Sequence, residues 1–354
     1  MCATDCTAKE KDVEKVTIYT LARELNMSPS MVSRAFNSKA RIDGEKRRAV
    51  LEAASKYGFS PNKHASRLSR REIRLAVLIS CRFSVNTEKM LLGAREAYLA
   101  CRDDKIRYEV IVLDSANCSD FEYDDAMRRC SECDGVLIAG MSSKKHAARI
   151  QRLVDLGVVV AEVQAVSLAS GCLFASKHDE AIASGLAAEF LSACLMTSAR
   201  KNVLLFTGDL DSALHQRAAV AFEKSCFESG LKLLSVVDMK DDEGYFASIL
   251  PKVMEKYAGQ IDAIYTTSGL SSPLCAYLEK HGIKLPFVAF DTYETVRDYM
   301  KKGVVTATIS QNVKEQMRSA FEMLARHLAS GETPPPVLYT DVALALKSNI
   351  HQFD

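Results

Sequence analysis

No run of 18 apolar residues occurs in this 354-residue chain, so the sequence offers no membrane-spanning helix. The first fifteen residues, MCATDCTAKEKDVEK, lack the apolar core of a signal peptide. They read as a disordered tail, and the expected compartment is the cytoplasm. Low-complexity sequence is confined to Pro334-Pro335-Pro336, which reads as a crossover. Also missing are a nucleophile–base pair, a phosphate-cradling glycine loop and a metal cluster at a useful spacing, so no enzyme, cofactor or metal is expected. The eleven cysteines, an odd number scattered through helices and strands, fit a reducing compartment better than a disulfide framework. Cys130-x-x-Cys133 has metal-ligand spacing without a second pair nearby, which favours small buried side chains at a helix end over zinc or redox chemistry.

Net charge is nearly absent too, at +1, but its distribution is uneven. Val16–Arg71 holds 12 Lys and Arg against 4 Asp and Glu, whereas the chain from Glu72 onward holds 31 against 37. A basic head on a mildly acidic body suits phosphate binding by the head alone. The triplet Lys46-Arg47-Arg48, taken by itself, is as well explained by a solvated surface.

The head is organised around Thr17–Asn37, TIYTLARELNMSPSMVSRAFN. Ile18, Leu21, Ala22 and Leu25 fall at i, i+3, i+4 and i+7, one apolar stripe on a helix of about two turns. Asn26-Met27 interrupts, and Ser28-Pro29 restarts the helix with a hydroxyl N-cap and a proline at the first helical position. The second helix, Pro29–Asn37, buries Met31 or Val32, Ala35 and Phe36, and leaves Ser30, Ser33 and Arg34 on its other face. This is a helix-turn-helix pattern. Asp43 then caps a third helix, Gly44–Tyr57, with Val50, Leu51, Ala54 and Tyr57 inward and Gly58 as the stop. Phe59-Ser60-Pro61-Asn62 and a short amphipathic segment, Lys63–Ser69, follow.

With Thr17-Ile18, Ala22, Ser28, Val32-Ser33-Arg34, Asn37, Arg47, Val50, Pro61-Asn62, Ala65 and Leu68 in place, the chain resembles the lactose-repressor (LacI) family of bacterial transcription regulators. The resemblance implies a DNA-facing set of Thr17, Ile18, Tyr19, Ser28, Pro29, Ser30, Ser33, Arg34, Asn37, Asn62, Ala65 and Leu68. Ser28 and Ser33 hydroxyls suit phosphates, and Arg34 can reach guanine O6/N7 as a bidentate donor. Pro29 and Ser30 stand where the family reads variable bases; both are small, so about 1 kcal/mol of discrimination per base pair is expected there. Asn37 suits a helix C-terminus or a phosphate better than base reading. Asn62–Ser69 is too short to be helical alone; the resemblance implies a hinge that folds when two copies meet on DNA. Leu68 would wedge into the minor groove, its alternative being local packing. The linker from Leu68 to the first strand is one residue short of the family's and lacks the usual glycine. Two-fold symmetry implies a palindromic operator read by a homodimer; no heptad tail follows the body, which favours dimer over tetramer.

Beyond Arg71, apolar runs such as Leu75–Ile79, Gly135–Ala139, Val203–Phe206 and Phe287–Phe290 alternate with amphipathic helices, the mark of parallel sheets covered on both faces. Some nine such units exceed one doubly wound sheet, so two similar lobes are expected. The expected architecture is a 1–15 tail, an all-α helix-turn-helix head at 16–61, a hinge at 62–72 and an α/β effector and dimerisation domain at 73–354. Lobe 1 would hold about 73–164 and 312–333, lobe 2 about 165–311 and 334–354. The body also resembles the family's effector domain, which is similar to type I periplasmic sugar-binding proteins with two doubly wound parallel sheets. The resembling stretches are Asp134-Gly135-Val136, Gly208 to His215 and Phe222, Val288–Asp291 and Ala307–Gln311.

Ligands of such sheets bind beyond the strands' carboxyl ends. The candidate effector-binding residues are therefore Ser84, Asn86, Gln164, Asp179, His215, Gln216, Ser268, Asp291 and Gln311. Asp291 and Gln311 form a reasonable polyol pair, whereas each residue alone is equally a loop or cap residue, and Asp179 is a natural N-cap. The family usually carries an arginine six or four positions before the aromatic that matches Phe222. Gln216 and Ala218 stand there, with Arg217 between them on another face, and His215 is a partial substitute. The resulting expectation is a dimeric DNA-binding regulator, a repressor in its simplest form, switched by a small ligand, with a carbohydrate as first choice. The alternatives are the same regulator with a vestigial cleft, controlled by a partner protein or by abundance, and a solute-binding receptor.

Overall fold

Side-chain caps set the starts of the three helices at the N-terminal end. In α1 (Ile18–Glu24) the Thr17 hydroxyl accepts from the Thr20 amide at 3.3 Å, and the Thr17 amide donates to the Thr20 hydroxyl at 3.2 Å. Asn26, with φ +49°, breaks the chain. The Ser28 hydroxyl then accepts from the Met31 amide to start α2 (Pro29–Ala35) with Pro29 in its first turn. Asp43 accepts from the amides of Glu45 and Lys46 to start α3 (Gly44–Lys56). Leu21, Ala22, Val32, Ala35, Val50 and Ala54 form the core between them. Leu51, expected inward, is 45% exposed, because the three-helix core closes on the Val50–Ala54 stripe alone.

These helices belong to one of two compact units, which divide at Arg71–Glu72. The structure, a computed structural model, describes residues 16–36, 42–57, 59, 71–101, 105–164, 166–167 and 169–353. Asn37, Asn62, Ala65, Leu68, the expected tail and nearly all of the expected hinge lie outside the described residues.

The second unit runs β1 (Ile73–Ser80), α4 (Ser84–Ala100), β2 (Ile106–Leu113), α5 (Asp120–Cys130), β3 (Gly135–Ala139), α6 (Lys144–Asp155), β4 (Val159–Val163), β5 (Phe174–His178) and α7 (Glu180–Cys194). It continues with β6 (Asn202–Thr207), α8 (Ala213–Glu228), β7 (Lys232–Asp238), α9 (Glu243–Lys256), β8 (Ala263–Thr266), α10 (Ser272–Lys280), β9 (Phe287–Phe290) and α11 (Glu294–Lys301). β10 (Ala307–Ser310), α12 (Val313–Ser330), β11 (Val337–Thr340), β12 (Ala343–Ala345) and a terminal 3-10 turn (Ile350–Phe353) complete it. No helix among the described residues is long and apolar enough to cross a membrane.

Two six-stranded sheets result, ordered β11-β5-β4-β3-β1-β2 and β12-β10-β9-β8-β6-β7. Every pairing is parallel except β10 with β12. Strands as apolar as Ile73–Ser80 need cover on both faces. The first sheet is covered by α4 and α12 on one side and α5 and α6 on the other; the second is covered by α9, α10 and α11 on one side and α7 and α8 on the other. Gly93 lets α4 and α12 touch backbone to backbone: a Cβ there would lie 2.2 Å from the Lys314 carbonyl oxygen.

The lobe boundaries differ from those read in the sequence. β5 pairs with β4 and with β11, so residues 174–178 and 337–340 belong to the first lobe. The chain crosses between lobes after His178, after Ser310 and after Thr340, and the triproline precedes β11 instead of making a crossing. The reason is local: Phe174–His178 is short and ends in Ser-Lys-His, a polar run that shows no apolar signature yet is buried beneath the crossing.

Candidate functional site

Strand ends in a doubly wound sheet deliver side chains to one edge, and here the two edges face each other. From the first lobe come Ser80 at the end of β1, Arg82 and Phe83 after it, Ser142 after β3, Gln164 after β4, and His178 at the end of β5. From the second come Asp209 and Ser212, Lys240 and Asp241, Ser268, Asp291 and Tyr293, and Gln311. Together they line a cleft of about 350 Å³.

Asp291 forms its floor. Its backbone is left-handed, φ +67°. That strain is held by its amide donating to the Ile309 carbonyl at 2.7 Å and the Thr308 hydroxyl donating to its own carbonyl at 2.6 Å. The Asp291 carboxylate accepts from Tyr293 Oη at 2.8 Å and from Gln311 Nε2 at 3.0 Å. Burial pushes its pKa up against the pull of those hydrogen bonds, of the field of Lys89 and of a hydrogen bond from Asn86. The Gln311 carbonyl oxygen is in turn held by Gln316 Nε2.

A second carboxylate, Asp241, takes the opposite course. Burial pushes its pKa up, but hydrogen bonds from His215 Nε2 at 3.0 Å, the Asp209 amide and the Ser268 hydroxyl hold it down to about 2. Lys240 and Asp241 are both left-handed, so the turn after β7 presents the Asp241 carbonyl to the other lobe. There Arg82 donates to it and pairs with Asp242 at 3.7 Å. Three further contacts span the lobes: the Ser142 and Ser212 hydroxyls at 2.9 Å, Lys89 Nζ donating to the Thr292 hydroxyl at 3.1 Å, and Phe83 stacked on Tyr293 with ring centroids 5.8 Å apart.

Three histidines, His146, His178 and His215, line the cleft, and each has a buried Nδ1 without a hydrogen-bond partner. Burial lowers the pKa of His146 and of His178 to about 4, so both are neutral at neutral pH.

A family model described as the periplasmic binding protein domain matches residues 125–333, more than half of the chain. The chain belongs to that family. Within this periplasmic-binding-protein family its likeness to lactose-repressor regulators is borne out by its relatives. Catabolite control protein A of Priestia megaterium is 22% identical over 247 residues, covering 68% of this chain and 70% of that one. Two solved structures share the fold. A putative LacI transcriptional regulator from Bacteroides fragilis has a TM-score of 0.68 at 16% identity, covering 80% of this chain and 100% of that one. An ABC transporter solute-binding protein from Burkholderia graminis C4D1M, solved with D-arabinose, has a TM-score of 0.69 at 18% identity, covering 79% and 97%.

Of the cleft residues expected in this periplasmic-binding-protein domain, Asn86, Gln164, His215, Ser268, Asp291 and Gln311 stand in the lining, and Ser84, Asp179 and Gln216 do not. Ser84 is exposed at the start of α4, and Gln216 is exposed and donates to the Leu210 carbonyl. The Asp179 carboxylate accepts from the Ala181 and Ile182 amides and serves as the cap of α7. Ala218 lines the cleft where a guanidinium was looked for, and Arg217 turns to Glu180 at 3.2 Å. Sequence reasoning missed Arg82, Tyr123, His146, His178, Lys240, Asp241 and Tyr293. Asp241, Tyr293 and Arg82 lie two or three residues past a strand, and a wider window there would have found them. His146 and Tyr123 come from the first turns of α6 and α5, beyond the loops that a strand-end rule surveys. Cys130 closes α5, buried, its thiol pushed up to about 12 by burial; Cys133 is half-buried against Glu109.

In the first unit Thr17, Tyr19, Ser28, Pro29, Ser30, Ser33 and Arg34 are exposed, whereas Ile18 is half-buried against the small core.

Proposed function

We propose that this protein is a sequence-specific DNA-binding transcriptional regulator, a repressor, that binds a palindromic operator as a homodimer and is switched by a small ligand, of carbohydrate type, in the interlobe cleft. The observation that carries this reading is α2. Its apolar side chains Val32 and Ala35 are buried, while Ser28, Pro29, Ser30, Ser33 and Arg34 form a continuous exposed face at a capped helix start. A short helix held by its back and offering hydroxyls and one guanidinium suits a major groove. The basic balance of Val16–Arg71 supplies the phosphate attraction.

The formed cleft supports a bound ligand over a vestigial cleft, and the sugar-binding relatives of the fold favour a carbohydrate. Ligand would act by changing the lobe angle, since every cross-cleft contact, from Arg82–Asp242 to Ser142–Ser212, depends on it. A tenfold change in operator affinity needs only about 1.4 kcal/mol of differential binding between two states. Gel-shift titration against a palindromic duplex tests the reading. A specific complex that weakens steeply with added salt is expected, and its absence at low salt overturns the proposal.

A further inference from the structure

Resting on the reading that the cleft holds a small ligand, we propose that it selects a ligand bearing a protonated amine beside hydroxyl groups, an amino sugar in chemical class, and rejects acidic sugars.

Most charges of the lining are already committed to partners within the protein. Arg82 is occupied by the Asp241 carbonyl and Asp242. Lys240 is occupied by Asp238 at 2.7 Å and Asp209 at 3.6 Å. Asp241 already faces the His215 imidazole at 3.0 Å and is further held by Ser268 and the Asp209 amide. Lys145 sits at the rim, its side chain 62% exposed, with Asp120 3.8 Å away.

Asp291 is the exception. It is buried at the floor, and the donors that reach it are the neutral groups of Tyr293, Gln311 and Asn86. Lys89 contributes through its field but gives its ammonium to Thr292. A buried carboxylate without an ion partner is held at a heavy desolvation penalty, which a bound cation relieves. Burial already keeps this carboxyl above its ordinary range, in the direction that missing counter-charge predicts. A carboxylate has about four lone-pair sites, so an ammonium can take the one left by Tyr293, Gln311 and Asn86 without displacing them.

Nothing deep in the cleft answers an anion. Ala218 occupies the position where a guanidinium would reach inward, and Arg217 is spent on Glu180. His146 and His178 are held neutral. A uronate or phosphosugar would bring its charge against Asp291 with no compensating cation. The polar rest of the lining, Asn86, Gln164 and Ser268, suits hydroxyls, and the Phe83–Tyr293 stack offers a ring face that favours a sugar or an ammonium.

Isothermal titration of the full chain at pH 7 with D-glucosamine, D-glucose and D-glucuronate, and with the three galactose counterparts, tests this. At least one amino sugar should bind about tenfold or more tighter than its parent, with no measurable binding of the matching uronate. Asp291→Asn should erase the amine preference, and Ala218→Arg should admit the uronate. If Asp291→Asn does not fold, Ala218→Arg carries the test. A uronate binding as well as its parent sugar, an amino sugar no better than its parent, an unchanged ranking in Ala218→Arg, or no binding by any of the six overturns the proposal. Operator gel shifts on the same samples keep the two readings apart. Loss of the specific complex, or ligand without effect on it, overturns the regulator reading and leaves the charge ranking standing.

Discussion

The three-helix unit and the two-lobed unit arrange their polar side chains in opposite ways. In the first, Ser30, Ser33 and Arg34 lie on an exposed face and Val32 and Ala35 do the packing, so the polar surface and the stabilising surface are separate. In the second, Asp291, Gln311, His178 and Tyr293 are buried and hold one another, so the same atoms shape the cleft and support the fold. The exposed polar residues of the three-helix unit can therefore be exchanged at little structural cost, while the buried polar residues of the cleft cannot.

The largest effect that would sharpen this contrast comes from acid. His178 is held at about 4 in the folded body against 6.5 unfolded. His146 is held the same way; a folded pKa below the unfolded one means stability that is present above pH 6.5 and is lost as pH falls toward 4, about 3 kcal/mol for each of the two. Urea unfolding followed between pH 7 and 4 should show that loss in the body's transition, and His178→Gln should remove about half of it. No histidine occurs among the described residues of the head, so the head's transition should stay nearly level over the same window. A head that loses as much as the body would break the comparison.

Next comes Leu21→Ala. With six residues in its core, the head should lose about 2–5 kcal/mol and unfold, abolishing operator binding while the body's melting temperature stays put. Two-transition calorimetry reads both outcomes at once. Smaller is Arg34→Ala, which should weaken operator binding by about 1–3 kcal/mol and relax specificity at one base pair, with stability changed by less than about 0.5 kcal/mol. A measurable drop in melting temperature would mean that the exposed face is structural after all. Smallest is Ser28→Ala, expected to cost the head about 1 kcal/mol through loss of the α2 cap, seen as a shifted head transition alone.

The head was legible because its signals are local. Ser28, Pro29 and Asp43 announce helix starts within a few residues of where they act, and the apolar stripe of Leu21 and Ala22 needs no partner to be seen. The parallel strands of the body were legible for the same reason, as unbroken apolar runs. What escaped is non-local. Phe174–His178 is a strand because β4 and β11 flank it, not because its sequence alternates. Arg82 matters through a carbonyl that lies 159 positions away in the chain. Asp291 and Gln311 were found because both follow strands directly; Asp241 was missed because its turn extends two residues further before the chain folds back into the cleft.

The three crossings after His178, Ser310 and Thr340 limit how the lobes can move. One tether would allow swivelling in any direction and two would still permit a twist, but three leave a door on three pins. On such pins the panels swing more readily than they slide, so a push between them is spent on a single angle rather than dissipated as slack.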